Sequence, residues 1–303
     1  MPARFSGHET FACRYAWLPK ALQAIREDRL IFADEDRAMV ELGVGKNMVR
    51  SIRFWVEASG MAELAEGGGL RPSWLGNLIF GSRGLDPYME DIQTLWLIHW
   101  NLSTHVEDPL FAWQFLFGRW QEPEFTESGV LKAFMREAET HKRLSEVTVQ
   151  QHLQVFLHTY VPTRGKKGEI AEDNLDCPLT ELEIVVKVGD REGSGGQSRR
   201  ESVYAFRNED KPGISAALFS YCVDDFWRKT VPNEQTLSVR SLVNALGSPG
   251  QTFKIPEESI YARLVDLESV SDHAFQYHES AVLPQVHRVG ELKREDILTR
   301  AYQ

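Results

Sequence analysis

The stretch from residue 34 to residue 63, DEDRAMVELGVGKNMVRSIRFWVEASGMAE, constrains the fold more than any other part of the sequence. An apolar pattern of helical period covers DRAMVEL, breaks at Gly43, and resumes from about Lys46 to Ala58. Two helices joined by a short glycine-containing turn form a helix-turn-helix. The segment LAEGGGLRPSWLGNLIF follows, and its three consecutive glycines predict the tip of a β-hairpin wing.

The second of these helices has two different faces. One face is apolar and suits packing on the first helix. Another face carries Lys46, Arg50 and Arg53, which lie together because they are four and three residues apart. A DNA-recognition helix needs this division, with cations presented to phosphates and base edges. We therefore predict that these cations and Asn47 bind DNA. The alternative is an αα-hairpin with a solvated basic face.

Composition limits the class of protein. A chain of 303 residues exceeds the usual size of a single domain. Because no run of about 18 apolar residues occurs and the N-terminus has no apolar signal region, we expect a cytoplasmic protein without a membrane partner. The three cysteines are widely separated, which indicates reduced thiols rather than disulfides or a zinc site. The net charge of −10 excludes a uniformly basic surface, but not a local basic stripe.

Elsewhere the sequence alternates between helical and hairpin patterns. Residues 92–102 are apolar nearly all round and, with FAWQFLF, predict a buried tryptophan-rich helical core, in which His99 is expected to be a core histidine. The expected fold class is mainly α with short β-hairpins (α+β), in winged-helix or helix-turn-helix-like units around that core. We predict an N-terminal helix-turn-helix, winged-helix-like DNA-binding domain, a central helical domain and a C-terminal α+β winged-helix-like domain, with the bounds 1–82, 83–178 and 179–303.

Further cations are candidates for DNA contact outside the recognition helix. Two lie within the aromatic N-terminal stretch FSGHETFACRYAWLPK, three lie in a loop after the helix QQHLQVFLHTY, and two lie at the tip of the hairpin between ELEIVVKV and VYAFR. Such side chains can pair with phosphate. In chain order they are Arg14, Lys20, Arg164, Lys166, Lys167, Arg199 and Arg200. The segment 129–163 could form a second helix-turn-helix, and a purely structural helix pair is the alternative.

Common catalytic motifs are missing, so neither a nucleotide nor an organic cofactor is expected. The Gly-His-Glu triplet at residues 7–9 is the best catalytic candidate. His8 can act as acid or base near neutral pH, and Glu9 can hold a metal ion. Equally, Glu9 could pair with Arg14 and buttress the N-terminus; both interpretations stay open.

Two further carboxylates, Asp86 and Glu90, lie in LDPYMEDI at the start of the buried helix. Together with Glu9 they are candidate ligands of Mg²⁺ or Mn²⁺ for phosphodiester cleavage. The competing explanation is that acids in the first turn of a helix complement its dipole. The segment ELEIVVK also resembles a PD-(D/E)xK nuclease motif loosely.

Three long motifs, FSGHETFACRYAWLPKAL, LGVGKNMVRSIRFW and LDPYMEDIQTLWLIHWNLS with the following FAWQFLF, resemble a bacterial family known as a domain of unknown function. Its members are encoded beside ATP-pyrophosphatase proteins in DNA phosphorothioation and phage-defence gene clusters. The resemblance covers most of residues 5–120. One member is the nicking protein of the Ssp-type phosphorothioate modification system.

This resemblance implies a DNA-binding protein that nicks one strand of duplex DNA, with ATP-pyrophosphatase-like, ATPase and cysteine-desulfurase partners. In that case we expect His8 and Glu9 to carry the chemistry. One alternative is a non-enzymatic adaptor that binds DNA and recruits the sulfur-transfer enzymes, and another is a transcriptional regulator of the gene cluster. A homodimer is among the assemblies that the sequence allows.

Overall fold

The computed structural model describes residues 4–141, 145–162, 177–192 and 200–303, and of residues 138–141 only the backbone. The fold is mixed, 52% helical with small antiparallel sheets, which confirms the α+β prediction. Within the described ranges, no helix combines the length and the apolar character that crossing a bilayer requires.

The helices differ widely in length, and several are single turns. They are α1 (Trp17–Glu27), α2 (Glu35–Leu42), α3 (Lys46–Ala58), α4 (Trp74–Phe80), α5 (Ile92–Thr104), α6 (Phe111–Gln114, continued by a π-turn over Phe115–Arg119), α7 (Glu127–His141), α8 (Glu146–Tyr160), α9 (Ala216–Thr230), α10 (Val239–Asn244), α11 (Pro249–Phe253), α12 (Glu257–Val265), α13 (Leu267–Val270) and α14 (Arg294–Ala301).

The strands are short, and every pair of them is antiparallel. They are β1 (Ala62–Leu64), β2 (Leu70–Pro72), β3 (Glu124–Thr126), β4 (Val185–Glu192), β5 (Arg200–Phe206), β6 (Thr236–Ser238), β7 (Phe275–His278) and β8 (Gln285–Arg288). They form one hairpin, β1–β2, and two three-stranded sheets in the orders β3–β5–β4 and β6–β8–β7.

The chain forms two compact units, and both are discontinuous in sequence. The first comprises residues 1–89, 110–112 and 121–207, and contains α1–α4, the β1–β2 hairpin, α7, α8 and the β3–β5–β4 sheet. Its core includes the fully buried Trp55, Phe134 and Phe156. The three-domain division at residues 82 and 178 stays a prediction.

The second unit comprises residues 90–109, 113–120 and 208–303. Trp100, Trp113 and Trp227 are fully buried in it, so the predicted tryptophan-rich helical core is present. The indole Nε1 of Trp100 donates to Asp225 at 2.8 Å. His99 is a core histidine as expected: its Nε2 bonds the carbonyl of Thr252 at 2.9 Å, and burial lowers its pKa to about 4.

The two three-stranded sheets share one topology. In each, a three-residue strand comes first, helices follow, and a hairpin returns so that its last strand pairs with the first. The helices are α7 and α8 in one case and α10–α13 in the other. The β1–β2 hairpin shows a reduced form of this arrangement, because the N–H of Leu70 bonds the carbonyl of Arg29 in the connection before α2, at 2.9 Å.

Local sequence explains where the predicted helix-turn-helix begins and ends. Asp34 caps α2, since its side chain accepts from the N–H of Arg37 at 3.1 Å. Gly43 ends α2 in the left-handed region, at φ 65°, which glycine adopts without strain. Helix α3 then spans Lys46–Ala58, as predicted. The glycine tip of the following hairpin is also confirmed, with all three glycines at positive φ.

Candidate nucleic-acid interface

Helix α3 presents the predicted basic face to solvent. Val49, Ile52 and Val56 are buried on its other side. The side chains of Lys46, Arg50 and Arg53 are about half exposed, at 54%, 46% and 47%.

These three cations are paired with acids of the same unit. Glu35, in the first turn of α2, bridges two of them, with both Lys46 Nζ and Arg50 Nε at 2.6 Å from its carboxylate. Hydrogen bonds from Arg50 and Lys46 lower the pKa of Glu35 to about 2. Arg53 pairs with Glu57 one turn further along α3, at 3.0 Å. The face is therefore positive but partly neutralised.

The Gly-His-Glu turn packs directly on α3. The hydroxyl of Ser51 donates to the carbonyl of His8 at 3.0 Å. Gly7 has φ 107°, and a side chain there would collide with Phe54 and Arg4, so the close approach requires glycine. Glu9 also has a positive φ, 53°, which is uncommon for a residue other than glycine. The backbone of the turn is thus packed closely against α3, the candidate DNA-binding helix.

This turn places Glu9 near the basic face. The pKa of Arg50 is raised, mainly by its hydrogen bond to Glu35, and the negative charge of Glu9 adds to the effect. Glu9 is itself half-buried. Glu9, the second predicted catalytic residue, therefore lies close enough to α3 for its charge to act on Arg50.

His8 is not exposed. It is 2% exposed, and its Nε2 lies 2.9 Å from Nδ1 of His152, a fully buried residue of α8. The N–H of Ala112 donates to Nε2 of His152 at 3.0 Å, so this nitrogen carries no proton. His152 therefore donates from Nδ1 to Nε2 of His8, and His8 donates from Nδ1 to the carbonyl of Glu9 at 2.9 Å.

This chain of bonds holds both histidines neutral. Burial lowers the pKa of each, and the neighbouring charge of Arg4 lowers them further. Both ring nitrogens of His8 are engaged inside the protein. The geometry therefore supports a structural role for His8, which orients the turn that carries Glu9.

The remaining predicted DNA contacts are dispersed. Arg14 is half-buried, with its guanidinium 5.5 Å from the ring centre of Trp17. Lys20 is exposed on α1, and Arg200 is exposed at the start of β5. The other four predicted cations, Arg164, Lys166, Lys167 and Arg199, lie outside the described residues.

The predicted metal ligands do not form a cluster. Across the residues that the structure describes, no group of three or more histidine, cysteine or acidic side chains is placed to hold a metal ion. Asp86 is buried, whereas Glu90 is exposed and belongs to the other compact unit. Asp91 caps α5 by accepting from the N–H of Gln93 at 2.8 Å, which is the ordinary role of an acid there. Magnesium or manganese binding stays a prediction.

Helix α8, the second helix-turn-helix candidate, has no lysine or arginine. Gln150 and Gln151 are exposed on it, and Gln154 donates to Glu127 at 2.6 Å. Its outward side can form hydrogen bonds but has no positive charge to attract a phosphate.

Two residues that shape this interface were not predicted from the sequence. Glu35 reads as an ordinary first-turn acid, and no local pattern indicates that it bridges two cations of the next helix. His152 is a lone histidine 144 residues from its partner, and no spacing rule connects them.

The fold and this surface define an α+β protein with a basic helix-turn-helix face. The chain belongs to the family described as protein of unknown function (DUF4007), whose family model matches residues 5–302. The resemblance identified from the sequence motifs is thereby confirmed over nearly the whole chain.

Two solved structures are similar to this chain, one described as the SspB crystal structure and the other as magnesium ion-bound SspB. Each has a TM-score of 0.84 at 27% sequence identity and covers 99% of this chain and 89% of the SspB chain. SspB is a component of the Ssp phosphorothioation system. The comparison with curated proteins found no match.

Proposed function

We propose that this protein is a DNA-binding component of a bacterial phosphorothioate modification and phage-defence system and that α3 holds the duplex. The observation that carries the proposal is the row of three half-exposed cations on α3, opposite its buried face. The likeness to SspB over 99% of the chain supports the assignment to the system. The proposed partners are double-stranded DNA and the ATP-pyrophosphatase-like, ATPase and cysteine-desulfurase components.

The repeated sheet topology supports the same proposal. A strand, helices and a returning hairpin, with strand order first–third–second, is the arrangement of a winged helix. We propose that the β3–β5–β4 and β6–β8–β7 sheets, with their helices, are winged-helix-like units and that the β1–β2 hairpin is the wing beside α3. We propose that α3, the helix before the β1–β2 hairpin, is the one that enters the major groove.

DNA binding at α3 requires an exchange of partners. Phosphates compete with Glu35 for Lys46 and Arg50, and with Glu57 for Arg53. These pairs are solvent-exposed, and exposed ion pairs contribute little to stability, so a polyanion can replace them. Because binding neutralises phosphates, affinity falls steeply as salt is raised.

A second proposal is that the protein nicks one strand of the bound duplex. It is favoured by the position of Glu9, a carboxylate beside the α3 face, and by the magnesium-bound state of the similar protein SspB. Glu9 is the proposed functional carboxylate, and the His8–His152 pair positions its turn. The described residues do not supply a three-donor metal group, so the expected dependence on Mg²⁺ or Mn²⁺ is a matter for experiment.

The test is purified protein on supercoiled plasmid, with Mg²⁺ or Mn²⁺ and with EDTA. A nickase produces open-circle plasmid only with the metal, and Glu9→Gln, which keeps the size of the side chain, abolishes the product while retained binding shows that the variant is folded. Plasmid that is shifted on a gel but never nicked would favour the adaptor. Binding restricted to one promoter sequence would favour a transcriptional regulator.

The DNA-binding proposal has its own control. Arg50→Ala/Arg53→Ala should weaken duplex binding, whereas Gln150→Ala/Gln151→Ala on α8 should not. Equal binding by both double variants would contradict the role of α3.

A further inference from the structure

A groove of about 830 Å³ lies beside α1 in the first compact unit, and its lining includes no residue of α3. One side is formed by the face of α1 that carries Lys20, Gln23 and Arg26, which are three residues apart and therefore lie on one side of the helix. The other side is formed by the end of α4 and by the segment that follows it, residues 81–88. Its volume is within the range of about 300–1,000 Å³ that is typical of ligand sites.

The groove is positively charged in a protein whose net charge is −10. Its lining contains Lys20 and Arg26 and no acidic residue. Neither cation takes part in an ion pair with any residue that the structure describes. Nη2 of Arg26 donates to the amide oxygen of Asn77 at 3.3 Å, and this neutral partner leaves the charge uncompensated.

The cations of the groove differ from those of α3 in having no carboxylate partner among the described residues. There Lys46 and Arg50 share Glu35, so an incoming anion must displace a carboxylate. In the groove no carboxylate has to leave Lys20 or Arg26. The carboxylates that bond lining residues hold neutral groups instead: Glu181 accepts the hydroxyl of Tyr15, and Glu27 accepts the side-chain amide of Gln23 at 3.3 Å. The groove cations are therefore the more available to an anionic ligand.

The groove also offers flat apolar surfaces next to its charges. Tyr15, Phe80 and Tyr88 line it. Phe80 is buried and forms part of the floor, whereas Tyr88 is 76% exposed. An exposed aromatic ring beside cations is the combination by which proteins bind single strands, because bases stack on the ring and phosphates meet the cations.

We propose that this groove binds unpaired nucleotides of single-stranded DNA, with Lys20 and Arg26 on the phosphates and Tyr88 stacked on a base. The inference rests on the proposed function, since it gives a DNA-binding protein a second site, for the strand that is no longer paired. An acidic peptide would use the two cations but has little need of the tyrosine ring. The aromatic lining therefore favours a nucleic-acid strand.

The experiment measures fluorescence anisotropy of the full-length protein with a labelled oligothymidylate of about 12 nucleotides and, separately, with a labelled duplex. Lys20→Gln/Arg26→Gln should weaken oligothymidylate binding by about tenfold, and Tyr88→Ala by about fivefold. The matched control is Lys132→Gln/Arg136→Gln, which removes the same charge from exposed positions of α7 in the same unit and should change binding less than about twofold.

The outcomes separate this inference from the DNA-binding proposal. If the groove variants bind oligothymidylate as the wild type does, the groove site is wrong, whatever happens to the duplex. If the groove variants lose oligothymidylate while Arg50→Ala/Arg53→Ala retains the duplex, the groove is supported and the role of α3 fails. A third outcome would overturn the nucleotide assignment in favour of an acidic peptide. In that case Lys20→Gln/Arg26→Gln loses oligothymidylate binding, Tyr88→Ala retains it, and polyglutamate displaces the strand.

Discussion

Helices α3 and α8 hold comparable places in the order of elements, yet they differ in what they present to solvent. Each is the second of two consecutive helices, and each precedes an antiparallel strand pair. Helix α3 carries three half-exposed cations, whereas α8 contains no lysine or arginine and exposes glutamines instead. The same local arrangement thus supports an electrostatic binding surface in one place and not in the other. Function has to be argued from side chains and not from topology.

The Gly-His-Glu turn connects the two helices. It bonds Ser51 of α3 through the carbonyl of His8, and it bonds His152 of α8 through the ring of His8. The turn that carries Glu9 therefore depends on α8 for its position. In this interpretation α8 is a support and α3 is the binding surface.

The largest expected effect is a loss of stability, and it tests whether α8 supports the turn. His152→Ala removes the acceptor of the Ala112 N–H and the donor to His8, and leaves a cavity at a fully buried site. We expect the free energy of unfolding to fall by about 3 kcal/mol. Urea denaturation followed by circular dichroism measures this. A loss below about 0.5 kcal/mol would show that the pair does not hold the two helices together.

Next in size is the loss of duplex binding when α3 is altered. Arg50→Ala/Arg53→Ala removes two phosphate partners, and we expect affinity to fall about 30-fold at moderate salt. The slope of log affinity against log salt should become shallower by about 2, because two fewer counterions are released. Anisotropy titrations at several salt concentrations measure both. Gln150→Ala/Gln151→Ala on α8 is the matched control and should change neither the affinity nor the salt slope. A loss of duplex affinity in this control would contradict the difference between α3 and α8.

A smaller loss of stability is expected when the pH is lowered. The pKa of His152 is well below its ordinary value because burial disfavours the charged ring. As the pH falls below about 6.5, the unfolded state takes up a proton that the folded state refuses, so stability is lost. Above that pH both states are neutral and the effect disappears. Between pH 7.5 and 5.5 we expect a loss on the order of 1 kcal/mol from this group.

His152→Gln is the variant that isolates this effect. An amide can accept from the Ala112 N–H and donate to His8, yet it does not titrate. Thermal unfolding at pH 7.5 and 5.5 should therefore show a smaller pH dependence in the variant than in the wild type. An unchanged dependence would assign it to other groups, such as His99 in the second unit.

Local periodicity was enough to predict much of this interface. The helical repeat and Gly43 located α2 and α3, and the three glycines located the hairpin tip, because these features are encoded by neighbours in the sequence. Strands β3 and β6 could not be recognised, since three residues are too few to show an alternating pattern. They are defined only by pairing with β5 and β8, which are far away in the chain.

The side-chain chemistry was harder to predict. Glu9 and His8 are adjacent in the sequence, but one is half-buried near Arg50 and the other is sealed in the interior. Whether a histidine is available or engaged depends on long-range partners, here His152 and Ala112, which no motif contains. The cations of α3 were correctly placed on one face, whereas their neutralisation by Glu35 required the packing of α2 against α3.

The smallest effect concerns this neutralisation. Glu35→Gln removes the carboxylate that holds Lys46 and Arg50, and both become available to phosphate without a competing partner. We expect duplex affinity to rise about threefold and its dependence on salt to steepen. Glu57→Gln is the matched control. It releases Arg53 alone, so duplex affinity should rise less than in Glu35→Gln. If affinity instead falls in Glu35→Gln, the carboxylate serves to position Lys46 and Arg50 for the phosphates, and the ion pairs are part of the binding surface rather than its competitor.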